Sequence, residues 1–188
     1  MHKTVQNLLD IENQLKSNLK DINILNLPKI IAVSKTFAID EIYPLIDHGH
    51  LDFGENKVQE AIDKWSKIKI EKPNLKLHMV GKLQSNKVKL AVKLFDYIHS
   101  VDSEKLARKI ADEQNKINKK IKIFLQVNIG DENQKSGINK NELDELASYC
   151  KKIGLDLIGL MCIPPVDKNP KIYFEEMNKL NRSLGFDE

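Results

Sequence analysis

Short apolar runs alternate with amphipathic stretches along the whole chain. The apolar runs are rich in β-branched residues and nearly continuous in apolar character, which is typical of strands buried on both faces. They predict six strands, at residues 29–34, 51–54, 77–81, 97–101, 122–129 and 155–163. Apolar residues at helical spacing predict helices between and around them, at residues 4–20, 39–48, 56–68, 85–95, 103–117, 139–153 and 170–184. Four of these stretches open with residues predicted to be N-caps, which are Asn56, Ser85, Ser103 and Asn139.

A helix followed by six strand–helix units predicts an α/β protein with a parallel sheet and right-handed crossovers. Two architectures fit, an open doubly wound sheet and a (β/α)8 TIM-type barrel. The open sheet normally carries a glycine-rich loop after its first strand, but the eight glycines never take that spacing and the strand ends in Ser34-Lys35-Thr36. The barrel is therefore favoured. Because a barrel needs eight units and typically about 250 residues, we expect a single barrel domain over residues 1–188 that lacks strands seven and eight.

Composition narrows the function classes. Hydrophobic residues make up 41% of the 188 residues and charged residues 30%, as in ordinary globular proteins. The net charge is only +3, and of the 30 basic residues only Arg108 and Arg182 are arginines. Since planar phosphate and base recognition usually draws on arginine, we expect no nucleic-acid partner.

No apolar run approaches the roughly 18 residues of a membrane helix, so we expect no membrane association. The charged N-terminus has no signal-peptide core. The two cysteines, Cys150 and Cys162, are not surrounded by metal-ligand spacing and fit a reducing compartment. A cytoplasmic location is the resulting expectation.

Lys35 is the first candidate for chemistry. It directly follows the apolar run 30–33, at the C-terminal end of the first strand, where barrel active sites lie. Strand alternation places it on the face of Ile31 and Val33. A lysine desolvated there would have a lowered pKa and a free amine able to form an imine with a substrate carbonyl or with pyridoxal phosphate. A lysine that merely begins a surface loop fits the position equally well.

Other candidates follow later strands, and each has a structural alternative. Asn56 is a helix N-cap or a ligand partner, and Glu55 either orients a lysine or is a solvated loop carboxylate. His78 lies in an apolar strand, where a histidine is more often a satisfied core residue than a catalyst. Met161 packs against a flat aromatic ligand or fills the core.

Three further features carry weaker signals. Residues 84–86 open a helix and offer either backbone N–H groups to an anion or a simple cap. His48 and His50 form an H-x-H pair without a visible third metal ligand. Residues 135–137 are predicted to form a turn after the fifth strand.

Four segments stand out together and in this order: Ala32-Val-Ser-Lys-Thr36, Phe53-Gly-Glu-Asn56 with Val58-Gln-Glu60, His78-Met-Val-Gly-Lys-Leu-Gln-Ser-Asn-Lys87 and Gly159-Leu-Met161. They resemble the pyridoxal phosphate homeostasis protein family, whose members are similar to the N-terminal barrel domain of alanine racemase. Gln126-Val-Asn-Ile129 with Lys135-Ser-Gly137 fits this resemblance too, which covers residues 4–188.

The resemblance implies a fold-type III barrel that holds pyridoxal phosphate as an internal aldimine on Lys35. It also implies that Asn56, His78 and Met161 line the cofactor pocket. The family continues with a Ser-x-Gly-Met-Ser segment and an Arg-Ile-Gly segment on strands seven and eight, which supply the phosphate cup and are absent from these 188 residues. The expectation is therefore a truncated version of a longer natural chain, with weaker cofactor binding than the full-length form.

Three functions remain open. The first is a non-catalytic carrier that buffers pyridoxal phosphate and hands it to apo-enzymes. The second is a pyridoxal-dependent amino-acid racemase, and the third is a lysine-based aldolase or lyase without cofactor. Two-base racemisation needs a second acid or base opposite Lys35, typically a tyrosine from a second domain, and no tyrosine of this chain falls in a segment at the barrel mouth. We therefore expect the carrier, with the racemase as the alternative.

Overall fold

The computed structural model describes residues 1–19, 28–132 and 136–186. In these ranges, six strands form one sheet. They are β1 (Ala32–Val33), β2 (Asp52–Glu55), β3 (Lys76–Met79), β4 (Tyr97–Val101), β5 (Lys122–Gln126) and β6 (Asp156–Met161). The helices are α1 (Lys3–Asn18), α2 (Ile39–Asp47), α3 (Val58–Glu71), α4 (Val88–Leu94), α5 (Glu104–Lys116), α6 (Leu143–Lys152) and α7 (Pro170–Ser183).

The strand order decides between the two predicted architectures. The strands lie in the order β1-β2-β3-β4-β5-β6, and each is parallel to the next. This sequential order, with a helix in each crossover, is that of a barrel wall, whereas a doubly wound sheet reverses its order near the first strand. The predicted alternation of strands and helices is confirmed. Within the described ranges, β1 and β6 form the two ends of the sheet.

The two faces of the strands differ in chemistry. One face packs against the helices and forms the main hydrophobic core, in which Phe53, Leu77 and Ile98 of the strands meet Trp65 of α3 with almost no exposed surface. Successive strand residues point to opposite faces. The other, inner face therefore carries the intervening residues, which include several polar side chains.

Several element boundaries differ from the sequence prediction. β1 has only two residues instead of the predicted 29–34, since its ladder with β2 pairs only Ala32 and Val33. β5 and β6 end at Gln126 and Met161, before the predicted ends at residues 129 and 163. The helices predicted to start at residues 85 and 139 begin as short 3₁₀ turns before α4 and α6. The predicted end of the first helix, residue 20, lies outside the described residues.

The predicted helix N-caps are only partly correct. Ser103 and Asn139 occupy N-cap positions, of α5 and of the 3₁₀ turn before α6. Asn56 does not, because α3 begins at Val58, two residues after the predicted start, and its N-cap is Lys57. Ser85 lies inside a 3₁₀ turn whose N-cap is Gln84. In the part of the chain that the structure describes, no helix has the length and apolar character needed to cross a membrane.

Candidate functional site

A cavity of about 540 Å³ opens at the C-terminal ends of the strands. This is the end of a barrel at which active sites are built. The lining comes from residues at or after the ends of five strands: Val33, Lys35, Asn56, Val80, Gly81, Lys82, Gln126, Val127, Asn128, Ser136, Met161 and Ile163. Three of the four residues predicted for the site, Lys35, Asn56 and Met161, are therefore brought together.

Lys35 lies two residues beyond the end of β1 and lines the cavity together with Val33, as strand alternation predicts. A glycine stands opposite them on β2, where a Cβ atom on Gly54 would lie 3.2 Å from Ile31 Cγ2 and 3.4 Å from Val33 Cγ2. The absence of a side chain there leaves room for the residues before Lys35. Of the two alternatives predicted for Lys35, the structure favours a lysine that begins a surface loop, because Lys35 is exposed beside the end strand of the described sheet.

Asn56 follows β2 and is half-buried beside the cavity. Its backbone is in close contact with the end of β3, where a Cβ atom on Gly81 would lie 2.4 Å from the Asn56 carbonyl oxygen. Only glycine allows this approach, since real Cβ contacts do not fall below 3.0 Å. Gly81 therefore fixes the path of the chain that carries Asn56. Of the two roles predicted for Asn56, the structure is compatible with the ligand partner and not with the N-cap.

Met161 ends β6 and provides part of an apolar lining. Val33, Val80 and the exposed Ile163 contribute the rest of this lining. An apolar surface beside polar amide and amine groups suits a flat ring with polar substituents.

His78 does not line this cavity. It is 2% exposed, and its Nδ1 lies 2.9 Å from Nε2 of His99, while its Nε2 lies 3.0 Å from Oδ1 of Asp52. The rings stack in two pairs, His78 on Tyr97 with centroids 4.2 Å apart and His99 on Phe124 with centroids 4.3 Å apart. The prediction of a satisfied core histidine describes this environment.

The electrostatics of the histidine pair favour its neutral form. Burial lowers the pKa of His78, although the hydrogen bond to Asp52 opposes this shift. Burial, together with the charge of His78, lowers the pKa of His99 to about 3. With both rings neutral, His78 Nε2–H donates to Asp52, and its Nδ1 accepts from Nε2–H of His99.

Glu55 points away from the cavity. Because β2 extends to this residue, alternation puts Glu55 on the same helix-facing side as Phe53. The carboxylate is completely buried, and its Oε1 accepts hydrogen bonds of 2.9 Å from three donors: Ser34 Oγ, Lys64 Nζ and Trp65 Nε1. The solvated loop carboxylate is excluded, and the lysine that Glu55 contacts is Lys64 rather than Lys35.

Sequence reasoning missed four polar lining residues, which are Lys82, Gln126, Asn128 and Ser136. The first three stand at or just after strand ends, so the rule that barrel sites form there could have found them. Gln126 Nε2 donates to the Ser136 carbonyl oxygen at 3.1 Å, which holds the loop after β5 against the strand. Of the predicted turn 135–137, Lys135 lies outside the described residues.

The residues with weaker sequence signals, His48, His50 and Gln84, do not line this cavity. Among residues 1–19, 28–132 and 136–186, no three His, Cys, Asp or Glu side chains cluster as a metal site would require. His50 Nε2 instead lies 2.9 Å from the Asp52 carbonyl oxygen. Gln84 lines a separate cavity of about 360 Å³, which shares Asn56 and Lys82 with the first. Among the described residues, the first cavity combines the predicted amine of Lys35 with amide groups and an apolar wall.

Sequence comparison places the chain among known proteins. The family model of the alanine racemase N-terminal domain matches residues 12–185. The pyridoxal phosphate homeostasis protein of Pasteurella multocida is 39% identical over 141 residues, which cover 74% of this chain and 60% of the relative. The Escherichia coli K12 protein of that name is 39% identical over 148 residues, covering 78% of this chain and 63% of the relative. For the Buchnera aphidicola protein, identity is 36% over 97% of this chain and 79% of the relative.

Solved structures agree with this placement. PipY of Synechococcus elongatus without PLP superposes with a TM-score of 0.78 and 31% identity over 91% of this chain and 80% of PipY. PipY with PLP bound gives a TM-score of 0.71 at the same identity and coverage. An alanine racemase of Clostridium difficile has a TM-score of 0.62 at 18% identity over 92% of this chain and 46% of the racemase, which supports the shared fold alone. The chain spans 60% of the length of the Pasteurella multocida relative and 63% of the Escherichia coli K12 relative.

Proposed function

The chain belongs to the pyridoxal phosphate homeostasis protein family, and from this premise we propose that it binds pyridoxal phosphate through Lys35 and serves in intracellular homeostasis of that cofactor. The proposed role is that of a non-catalytic carrier, which buffers the cofactor and delivers it to apo-enzymes. The cytoplasmic location belongs to the same proposal, and the two free thiols, Cys150 and Cys162, are consistent with it.

The observation that carries the proposal is the convergence of Lys35, Asn56 and Met161 on one cavity. The donor set fits the cofactor. Lys35 offers the amine that an aldehyde requires, Met161 offers apolar contact to a pyridine ring, and Asn56 offers an amide to a ring substituent. Lys82 adds a positive charge to the same lining, which suits an anionic ligand.

When bound, the cofactor supplies a reactive aldehyde. In the proposal, Nζ of Lys35 would hold the cofactor through a carbon–nitrogen double bond, and the aldehyde oxygen would leave as water with two hydrogens from the amine. Cofactor contact by His78 stays a prediction, because this ring is bonded to Asp52 and His99 and does not line the cavity. Completion of the barrel by strands seven and eight of a longer chain likewise stays a proposal.

The positions of the tyrosines support a carrier over a racemase. Tyr97 is stacked on His78 inside the sheet, and the Tyr149 hydroxyl accepts a hydrogen bond of 3.2 Å from Arg108. Tyr43 and Tyr173 are partly buried against the core. None of these four lines the cavity formed by the described residues, whereas two-base racemisation needs a second acid or base next to the substrate.

Borohydride trapping tests the proposal directly. The purified chain is mixed with pyridoxal phosphate, its visible absorption spectrum is recorded, and the mixture is reduced and mapped by peptide mass. We expect one reduced adduct, on Lys35. An adduct on Lys82 instead would reassign the nucleophile, and no adduct would contradict cofactor binding through a lysine.

Assays of the loaded protein separate the two functions. A carrier transfers its cofactor to an apo-enzyme and does not interconvert the enantiomers of free amino acids. Racemisation above the rate of free pyridoxal phosphate would support the alternative.

A further inference from the structure

Two α3 residues outside the cavity hold the backbone on both sides of Lys35. Lys64 Nζ donates to the Ser34 carbonyl oxygen at 2.7 Å. Glu60 Oε1 accepts from the Thr36 N–H, also at 2.7 Å. Neither Glu60 nor Lys64 is a lining residue of the cavity. The two bonds fall on the peptide groups immediately before and after Lys35, so they restrain both of its backbone dihedrals.

Glu60 and Lys64 also support each other. They are four residues apart on α3, and Nζ of Lys64 lies 3.4 Å from Oε1 of Glu60. Lys64 is anchored further by the buried carboxylate of Glu55, at 2.9 Å, and only 9% of its side chain is exposed. The hydrogen bond from Thr36 lowers the pKa of Glu60, and Lys64 adds to this effect, while burial opposes it. Glu60 is therefore an ionised acceptor at neutral pH.

The backbone at this point needs external support. Thr36 has a φ of 68°, in the left-handed region that residues other than glycine rarely occupy. A β-branched residue there is held by its surroundings and not by its own preference. The Ser34 N–H still donates to the Gly54 carbonyl oxygen at 2.9 Å, and the Phe37 N–H closes a turn by donating to the Ser34 carbonyl oxygen at 3.3 Å. The bond from the Thr36 N–H to Glu60 adds a restraint from α3 within this turn.

We propose that Glu60 and Lys64, which we call the α3 pair, are positioning residues that fix the starting point of the Lys35 side chain at the cavity. The inference rests on the proposed imine with pyridoxal phosphate. Lys35 has a long, exposed side chain, so its amine samples many directions. Fixing the peptide groups on both sides of Lys35 limits this sampling, which favours attack on a bound aldehyde.

Glu60→Ala is the informative variant, because Glu60 is 31% exposed and its loss leaves the buried Lys64 still paired with Glu55. Two ligands are compared: pyridoxal phosphate, and pyridoxine phosphate, which has a hydroxymethyl group in place of the aldehyde and forms no imine. We expect the rate of imine formation with pyridoxal phosphate to fall about tenfold, because one charged positioning bond is lost. The affinity for pyridoxine phosphate, measured by calorimetry, should not change.

A matched control is Asp63→Ala, which removes an exposed carboxylate from the same helix. Among the described contacts, this carboxylate accepts a bond only from Gln59. It should leave both ligands unaffected. Lys64→Arg keeps a cation that reaches the Ser34 carbonyl and should retain most of the imine rate, as a positioning role predicts.

The outcomes are distinguishable. A Glu60→Ala protein with an unchanged imine rate would overturn the positioning role. An equal loss for both ligands would also overturn it, since α3 would then support the cavity as a whole. If the unmodified protein itself gives no trapped adduct on Lys35, the proposed function fails first, and the inference about the α3 pair fails with it.

Discussion

Polar groups inside the strands and polar groups beyond the strand ends have opposite surroundings. Inside the strands, Asp52, His78 and His99 are bonded to one another and covered by aromatic rings. Beyond the strand ends, Lys35 and Asn56 face a cavity. A buried polar group without a partner is costly, so the side chains of these three strand residues bond to one another. At the strand ends this constraint is relaxed, and side chains there are available to a ligand.

Lys35 tests the polar groups beyond the strand ends, and its replacement should have the strongest effect on cofactor binding. Lys35→Ala should abolish the reduced pyridoxal phosphate adduct completely, although some non-covalent binding remains. The free energy of unfolding should change by less than about 0.5 kcal/mol, because the side chain is exposed. Peptide mapping and urea denaturation measure the two quantities, and Lys67→Ala on the exposed face of α3 is the control. A protein that no longer folds would assign Lys35 a structural role.

Lys64 tests the opposite case, a polar group whose partners are buried. Lys64→Met should lower the free energy of unfolding by about 3–5 kcal/mol, because it leaves the completely buried Glu55 carboxylate without its cation. Urea denaturation measures the change, and Lys67→Met controls for the loss of a lysine on the same helix. Wild-type stability would show that the Glu55–Lys64 pair does not hold β2 and α3 together.

The histidine pair should make stability depend on pH. The pKa of His99 is about 3 in the folded protein against 6.5 for an ordinary histidine, so the unfolded chain binds more protons below pH 6.5. The stabilisation that follows from the lowered pKa of His99 is fully present above pH 6.5. As pH falls, the free energy of unfolding decreases by about 2 kcal/mol between pH 6.5 and 4.5. His78, whose pKa is also lowered, acts in the same direction.

Urea denaturation at several pH values measures this loss. His99→Gln should have a smaller slope of stability against pH over the same interval, because the group that titrates in the unfolded chain is gone. An unchanged slope would mean that carboxylates, and not the histidine pair, dominate the acid response.

Asn56 should give the smallest effect. Asn56→Ala removes one hydrogen-bonding amide from the cavity and should weaken pyridoxal phosphate binding about fivefold, the equivalent of about 1 kcal/mol. A fluorescence titration measures the dissociation constant, with the exposed Asn115 on α5 changed to alanine as the control. Unchanged affinity would remove Asn56 from the proposed binding residues.

The element order was predictable because it rests on local patterns. Apolar runs and helical spacing report burial over short windows, and they gave six strands in the observed order. The placement of Lys35 at a strand end follows from the same pattern. The orientation of Glu55 did not follow, because the predicted strand stopped at Gly54 and one further residue in β2 decides which face the side chain takes.

Features that depend on distant partners were beyond a single sequence. His78 is bonded to Asp52 and His99, which are 26 and 21 residues away, and only the strand register brings the three together. The exposure of Lys35 depends on what lies beside β1, which no local pattern reports. The bonds that Glu60 and Lys64 form with the chain around Lys35 likewise join a helix to a strand end three elements earlier.

The bond between the Thr36 N–H and Glu60 also has a consequence for amide hydrogen exchange. Backbone amides at the exposed end of an end strand normally exchange with solvent deuterium quickly, because no neighbouring strand accepts their hydrogens. The Thr36 amide is instead bonded to a side chain of α3. Exchange of the Thr36 amide therefore requires this bond to a helix packed on the core to open. We expect the amide to exchange more slowly than other amides that are equally exposed.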